Sequence, residues 1–289
     1  MNRRTVRPGY SLPEVLVAVV LLGIIGGALT RLVVSQMRFF DTVSTTRSAR
    51  SVARNAMNLM LSELRMVQAE NGVTAATSTS ISVNVPYSMG VYCASASGAS
   101  TVSMMPADSM VLATASFAGY AYRDPTTGLY TSVAGTTPPP TSGTPSRCTG
   151  SASGEAKIKT ATINGRVGRI LDVSPVIPGS PVAGMPVFLY QNITYSFAAS
   201  TMFPGKTGLW RTIAGGTPEE LMAPFASTAR FKFYQAGDNT SSTTVPAVTA
   251  IRGIDVVLTA VSARRAAGES AESQSKMVTS VFFKNTVAQ

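Results

Sequence analysis

The chain has 289 residues and a formal net charge of +10, yet charged side chains occupy only 13% of its positions. That low charge content is atypical of a cytosolic enzyme and typical of an exported, β-rich protein. Histidine is absent, which excludes Ser-His-Asp and Cys-His catalysis and the usual zinc sites. We therefore expect no enzyme activity, no cofactor and no metal site. Nucleic-acid binding has weak support, because the basic residues form no run interleaved with aromatic residues.

The N-terminal region combines a basic leader with a long apolar segment. The leader carries three arginines and ends at Gly9, and the apolar run extends from Val15 to Leu29 with Glu14 at its start. An ordinary secretory signal is cut after its apolar segment, so the segment is lost. Here the glycine precedes that segment. Cleavage at Gly9 would leave the apolar run on the mature chain.

This junction resembles the class III signal of type IV prepilins. In that family a prepilin peptidase cuts after the glycine and methylates the new N-terminal amine. The resemblance implies that residues 1–9 are removed, that the cut falls between Gly9 and Tyr10, and that Tyr10 is N-methylated. Glu14 is the fifth residue after the cut, where the family places its glutamate. Tyr10 replaces the more usual phenylalanine.

Glu14 has two interpretations. A carboxylate at or inside a membrane is costly and usually has a partner there. The resemblance makes the Tyr10 amine that partner, from the same chain or from a neighbour in a filament, and methylation keeps the charge of the amine. The alternative is that Glu14 only occupies the first turn of a helix, where negative charge is favourable to the helix dipole.

The apolar run predicts one long helix over residues 10–71. Its first part, about residues 13–34, is long enough to span a membrane. Gly23 and Gly27 form a GxxxG spacing, which lets helices approach closely within a membrane. Farther along, apolar residues recur at helical spacing and predict a face packed on a globular head, up to a stop at Gly72. They are Ala49, Val52, Ala53, Ala56, Met57, Met60, Leu64 and Val67.

Residues 72–289 predict an antiparallel β-rich head, so the fold class is α+β, a long N-terminal helix packed on that head. The candidate strands are short, rich in β-branched or aromatic residues and bounded by turn residues. They are Ser80–Val85, Met110–Ala115, Lys157–Ile163, Gly168–Val173, Val187–Tyr190, Ile193–Ala198, Leu209–Ile213, Ala229–Tyr234, Ile251–Ala260 and Met277–Phe283. Residues 94–155 are predicted to be a low-complexity excursion from the sheet. Glu219 and Glu220 predict a short helix start, and Ala263–Lys276 predicts an exposed hairpin loop.

Two cysteines are present, Cys93 and Cys148. In an exported protein such a pair predicts one disulfide. The bridge would close a loop of about 55 residues and contribute roughly 4 kcal/mol in the chain-entropy description. The alternative is two free thiols, each a small buried apolar group.

The C-terminal half adds to the resemblance. Segments around Trp210, Phe231–Tyr234, Ile254–Leu258 and Val281–Asn285 look like those of PilW-type minor pilins and of J-type pseudopilins in type II secretion. The implied function is a minor pilin, inserted in the membrane before it joins a type IV pilus for adhesion, motility or DNA uptake. The implied partners are the prepilin peptidase, other pilins or pseudopilins and the inner-membrane assembly platform. The head would lie outside the cytoplasm, and the filament in the periplasm or at the cell surface.

Three other functions stay open at this point. The chain could be a pseudopilin of a type II secretion system. It could be a membrane-anchored binding module that never polymerises. As a third option, a soluble exported protein would lose its apolar segment and begin beyond Ala28.

Overall fold

The computed structural model describes residues 11–68, 71–96, 98–112, 114–135, 148, 162–163 and 165–283. Two helices lie in these ranges, α1 (Leu12–Leu64) and α2 (Pro106–Val111), with one 3-10 turn at Val248–Ala250. The strands are β1 (Val73–Ala76), β2 (Ser80–Ala96), β3 (Ala99–Met104), β4 (Gly119–Arg123), β5 (Tyr130–Ala134), β6 (Thr162–Ile163), β7 (Arg166–Val167), β8 (Ile170–Val173), β9 (Pro186–Ala199), β10 (Thr207–Ile213), β11 (Glu219–Phe225), β12 (Arg230–Gln235), β13 (Ile251–Val261) and β14 (Gln274–Phe282).

Helix α1 consists of two halves with opposite environments. Every residue from Leu12 to Phe40 is exposed, whereas the half from Asp41 onward carries a buried stripe. The buried residues are Thr45, Ala49, Ala53, Ala56, Met57, Met60, Leu61 and Leu64. Their spacing of three and four residues places them on one side of the helix. The predicted head-packing face is therefore confirmed.

The helix ends at Leu64, earlier than the predicted end near residue 71. Val67 then donates its N–H to the Leu64 carbonyl in a tighter turn. The chain reverses at Asn71, which has a φ of 54°, and at Gly72. A Cβ on Gly72 would lie 1.9 Å from the carbonyl oxygen of Gln68, so only glycine fits there. The glycine marks this reversal into β1 rather than the last turn of the helix.

One antiparallel sheet of 12 strands forms the head, in the order β12-β13-β11-β10-β9-β2-β3-β8. At its margins β14 pairs with β13, β1 pairs with β2, and β4 joins β5 to β9; β6 and β7 form a separate hairpin. The longest ladder joins β2 to β9, from Ser80 opposite Ser196 to Val91 opposite Pro186. With α1 packed on this sheet, the α+β class is confirmed.

The two ends of the long β2–β9 ladder support two hydrophobic cores. The first lies between α1 and the sheet and includes Met60, Ile81, Tyr195, Phe231 and Leu258. The second lies at the far end and includes Tyr92, Val102, Tyr120, Leu171 and Leu189. Among the described residues, only the first core contains residues of α1, so the head has a helix-proximal part and a distal part.

Several local predictions were wrong. The predicted strand Met110–Ala115 begins inside α2, which has a proline in its first turn and Asp108 close behind it. Residues 94–155 were predicted to be an excursion from the sheet, yet their described parts contain β3, β4, β5 and α2. Most of the predicted strand Lys157–Ile163 lies outside the described residues.

The predicted helix start at Glu219 and Glu220 was also wrong, because these residues open β11. Glu220 lies opposite Trp210 of β10. Its carboxylate accepts hydrogen bonds from the side chains of Ser200 and Thr201 at 2.5 Å each. This long-range pairing replaces the local preference of acidic residues for a helix N-terminus.

Candidate functional site

The exposed half of α1 is the candidate functional site. From Leu12 to Phe40 it has a length of about 43 Å at 1.5 Å per residue, against a bilayer core of about 30 Å. By length and composition α1 can cross a membrane, and none of its most apolar window is buried in the fold. A continuous exposed apolar surface of this size marks a contact with lipid or with other proteins.

Glu14 is the one ionisable residue between Ser11 and Thr30. It lies in the first turn of α1, next to a proline. Proline lacks an N–H, and in the first turn of a helix this costs no hydrogen bond, because the N–H groups there have no partner within the helix. Gly9 and Tyr10, the predicted cleavage and methylation residues, lie outside the described residues. The pairing of Glu14 with the Tyr10 amine therefore stays a prediction.

Gly23 and Gly27 lie on open helix surface. A Cβ built on either glycine would meet no atom within 4 Å, so the notch that they form is free. Gly23 follows Glu14 by about two and a half turns, so the two residues project from opposite sides of the helix. A neighbouring helix packed on the two glycines would thus lie on the side of α1 away from Glu14.

Basic and aromatic residues mark the head-side boundary of the exposed half. Arg31 and Arg38 are exposed, as are Phe39 and Phe40, whose rings lie edge to face with centroids 6.0 Å apart. Aromatic rings are enriched at membrane interfaces, and long basic side chains extend from the apolar layer toward water. This boundary lies immediately before Asp41, which forms an ion pair with the head.

The contact at Asp41 is an ionic clamp. Its carboxylate binds both terminal nitrogens of the Arg264 guanidinium, one of them at 2.9 Å, and accepts the Ala267 N–H at 2.7 Å. These hydrogen bonds, above all the one from Arg264, lower the pKa of Asp41 from 3.8 to about 2. Thr45 and Ser273 add a hydroxyl pair at 2.9 Å. The loop between β13 and β14 therefore holds α1 at the point where the exposed half ends and the packed half begins.

The sequence predicted Ala263–Lys276 to be an exposed hairpin loop, and the segment does connect the paired strands β13 and β14 with most of its residues exposed. The contact between this loop and the helix was not predicted. Ala266 is buried there. The two clamp partners are 223 residues apart in sequence, and no local pattern joins them. The available signal was that Asp41 is the first carboxylate after the apolar run.

A second clamp holds the other end of the packed half. Glu63 accepts a hydrogen bond from the Tyr195 hydroxyl at 2.5 Å and from the Arg211 guanidinium at 2.8 Å. Burial, together with the nearby Glu63 carboxylate, raises the pKa of Tyr195, so the phenol stays protonated and donates. With clamps at both ends of the packed half, the head sets the direction in which the exposed half projects.

The cysteines lie away from this helix. Cys93 is in the distal half of β2, and its sulfur lies 1.92 Å from that of Cys148, with the Cα atoms 5.1 Å apart. The predicted partners are thus at disulfide-bonding distance, and both are buried. This cysteine pair belongs to the distal part of the head.

Comparison of the chain with known protein families, with curated proteins and with solved structures finds no match. The architecture itself, a long N-terminal apolar helix on an antiparallel β-rich head, fits a pilin-like arrangement. The site contains an uncovered apolar rod with one carboxylate at its tip. Such an arrangement can insert in a membrane and pack against other helices.

Proposed function

We propose that this chain is a prepilin-class membrane protein that becomes a minor subunit of a type IV pilus. The observation that carries the proposal is the uncovered apolar half of α1, which the clamped head projects as a rod. Lipid would cover this rod before assembly. In the filament, the apolar helices of neighbouring subunits would replace the lipid, so the apolar surface would never meet water.

Glu14 would fix the position of the subunit relative to its neighbour in the filament. A carboxylate within the apolar layer is costly unless a cation is paired with it. The amine of a processed Tyr10, on the same chain or on a neighbour, would supply that cation. The open notch at Gly23 and Gly27 would admit a second helix on the opposite side of α1, because small residues let backbones approach closely.

The disulfide-distance cysteines support a location of the head outside the cytoplasm, since disulfides persist in oxidising compartments. The subunit would therefore reside in the inner membrane as a single-pass protein, with its head in the periplasm. Its partners would be the prepilin peptidase, other pilins and the inner-membrane assembly platform. Assembly would then move the head into the filament.

The test is to compare sheared filaments and membranes from cells that produce the wild-type chain, Glu14→Ala or the control Glu219→Ala. Glu219 is an exposed carboxylate on the head. We expect Glu14→Ala to remain in membranes at the wild-type level and to fall at least tenfold in filaments, while Glu219→Ala behaves as wild type. Equal incorporation of Glu14→Ala would contradict the role of Glu14. Recovery of the wild-type chain only from membranes would support a non-polymerising anchor, and incorporation only into a secretion pseudopilus would support the pseudopilin alternative.

A further inference from the structure

The packed half of α1 carries a row of exposed arginines, which we call the arginine stripe: Arg47, Arg50 and Arg54. None of them forms a hydrogen bond or ion pair with another residue that the structure describes. At 3.6 residues per turn, the three side chains leave the helix within a sector of about 60° and along about 10 Å of its axis. They lie off the buried stripe that contacts the head.

The other charged residues in the packed half of α1 form ion pairs with the head. Asp41 is bound to Arg264 and Glu63 to Arg211, so both carboxylates of the packed half already have cationic partners. Among the residues that the structure describes, none supplies a counter-charge to the arginine stripe. Three like charges at spacings of three and four residues repel one another, so this side of the helix favours an anionic partner.

The described length of α1 offers no unpaired carboxylate to the stripe of a second copy. Its carboxylates are Glu14, Asp41 and Glu63, and the two in the packed half are already ion-paired with the head. A parallel α1 from an identical chain would therefore bring its own arginines, and no free carboxylate, to the height of the stripe. Charge complementarity therefore favours a different chain.

We infer that the arginine stripe docks on an acidic helix face of a different, membrane-anchored subunit. This inference rests on the proposed function, which places parallel helices side by side as they leave one membrane. Arg47 and Arg54 lie about 20 and 30 Å beyond the apolar span that ends near residue 34. The partner helix would carry carboxylates at spacings of three to four residues at the same height above its own apolar segment. The subunit would thus select its neighbour by charge complementarity and would not form a homopolymer through this face.

The test places a photo-crosslinking amino acid at Asn58, an exposed residue about one turn beyond Arg54. Full-length protein is irradiated in cells, and mass spectrometry maps the crosslinked residue. We expect a crosslink to a non-identical membrane-anchored subunit, in a helical segment that carries Asp or Glu. The triple variant Arg47→Glu, Arg50→Glu, Arg54→Glu should lower its yield at least fivefold. Lysines in place of the partner's mapped carboxylates should restore the yield.

The matched control is the triple variant Arg166→Glu, Arg230→Glu, Lys276→Glu, which changes the net charge equally at exposed positions of the head. It should leave the crosslink unchanged. A crosslink to a second copy of this chain, to lipid or to DNA would overturn the inference, as would a yield that is insensitive to charge reversal or no crosslink at all.

The filament fraction separates this inference from the proposed function. If the stripe variant enters filaments in the wild-type amount without the crosslink, the docking inference fails and the proposed function stands. If the wild-type chain is absent from filaments, the proposed function fails whatever the crosslink shows.

Discussion

Asp41 joins the exposed half of α1 to the head through Arg264 and the Ala267 N–H. Because the pKa of Asp41 is lowered from 3.8 to about 2, the clamp stabilises the fold above the ordinary pKa of the carboxyl group. That contribution is lost as the pH falls through the folded-state value. We expect the melting temperature of the detergent-solubilised chain to fall between about pH 5 and about pH 2, and part of that fall to be absent in Asp41→Asn.

Thermal unfolding followed by circular dichroism at several pH values measures this difference. The control is Glu269→Gln, which changes an exposed carboxylate of the same loop and should leave the pH profile unchanged. At neutral pH, Asp41→Asn should melt below wild type. Superimposable profiles for wild type and Asp41→Asn would show that the clamp adds no stability.

The clamp also shows which contacts could not be predicted from the sequence. Glu14 was recognised because it stands beside an apolar run and a glycine junction, all within a few residues. The contact between Asp41 and Arg264 joins residues that are 223 positions apart and depends on the exact path of the β13–β14 loop. Single-sequence patterns report local spacing, so a contact of this kind is visible only in the fold.

The packed half of α1 offers a matched pair of neighbours for testing the helix–head interface. Met60 is completely buried against the sheet, whereas the adjacent Leu59 is 45% exposed. We expect Met60→Ala to cost about 2–5 kcal/mol of unfolding free energy, because it removes buried methylene groups and leaves a cavity. Leu59→Ala should cost less than about 1 kcal/mol.

Denaturant unfolding of the full chain in detergent measures both variants. Equal costs for the two substitutions would contradict the assigned orientation of the helix on the head. If Leu59→Ala instead leaves stability intact but reduces incorporation into filaments, Leu59 belongs to the contact with a neighbouring subunit.

The helix was predicted well because its period is local and extends over many turns. The strands were predicted less well, because their bounds depend on pairing with residues that are distant in sequence. Val187–Tyr190 and Ile193–Ala198 were predicted as two strands, yet β9 runs through both. The polar residue Asn192, which suggested a break, lies opposite Asn84 in the ladder and donates to it and to Thr74. Its polar group is thus satisfied across strands, and no turn is needed.

The whole molecule divides into a helix-proximal part and a distal part, and the cysteine pair belongs to the latter. We expect the double variant Cys93→Ser, Cys148→Ser to lower the unfolding free energy by about 2–4 kcal/mol, since the bridge limits a long loop in the unfolded chain. Denaturant titration of oxidised wild type and of the variant measures this. No difference between them would contradict a bridged native state.

The effect should be confined to the distal core, because α1 packs only on the other core. Hydrogen exchange should therefore increase at β3 and β8 in the cysteine variant and stay unchanged along the packed half of α1. An equal increase in both parts would show that the head unfolds as one cooperative unit.

The central claim is that the exposed apolar helix is retained on a processed, membrane-inserted subunit. The most direct measurement is the intact mass and N-terminal sequence of the protein isolated from membranes. The account predicts a chain that starts at Tyr10 and carries one additional methyl group on its terminal amine. A chain that still begins at Met1, or one that begins beyond Ala28, would contradict prepilin processing and return the protein to an anchored or secreted β-rich protein.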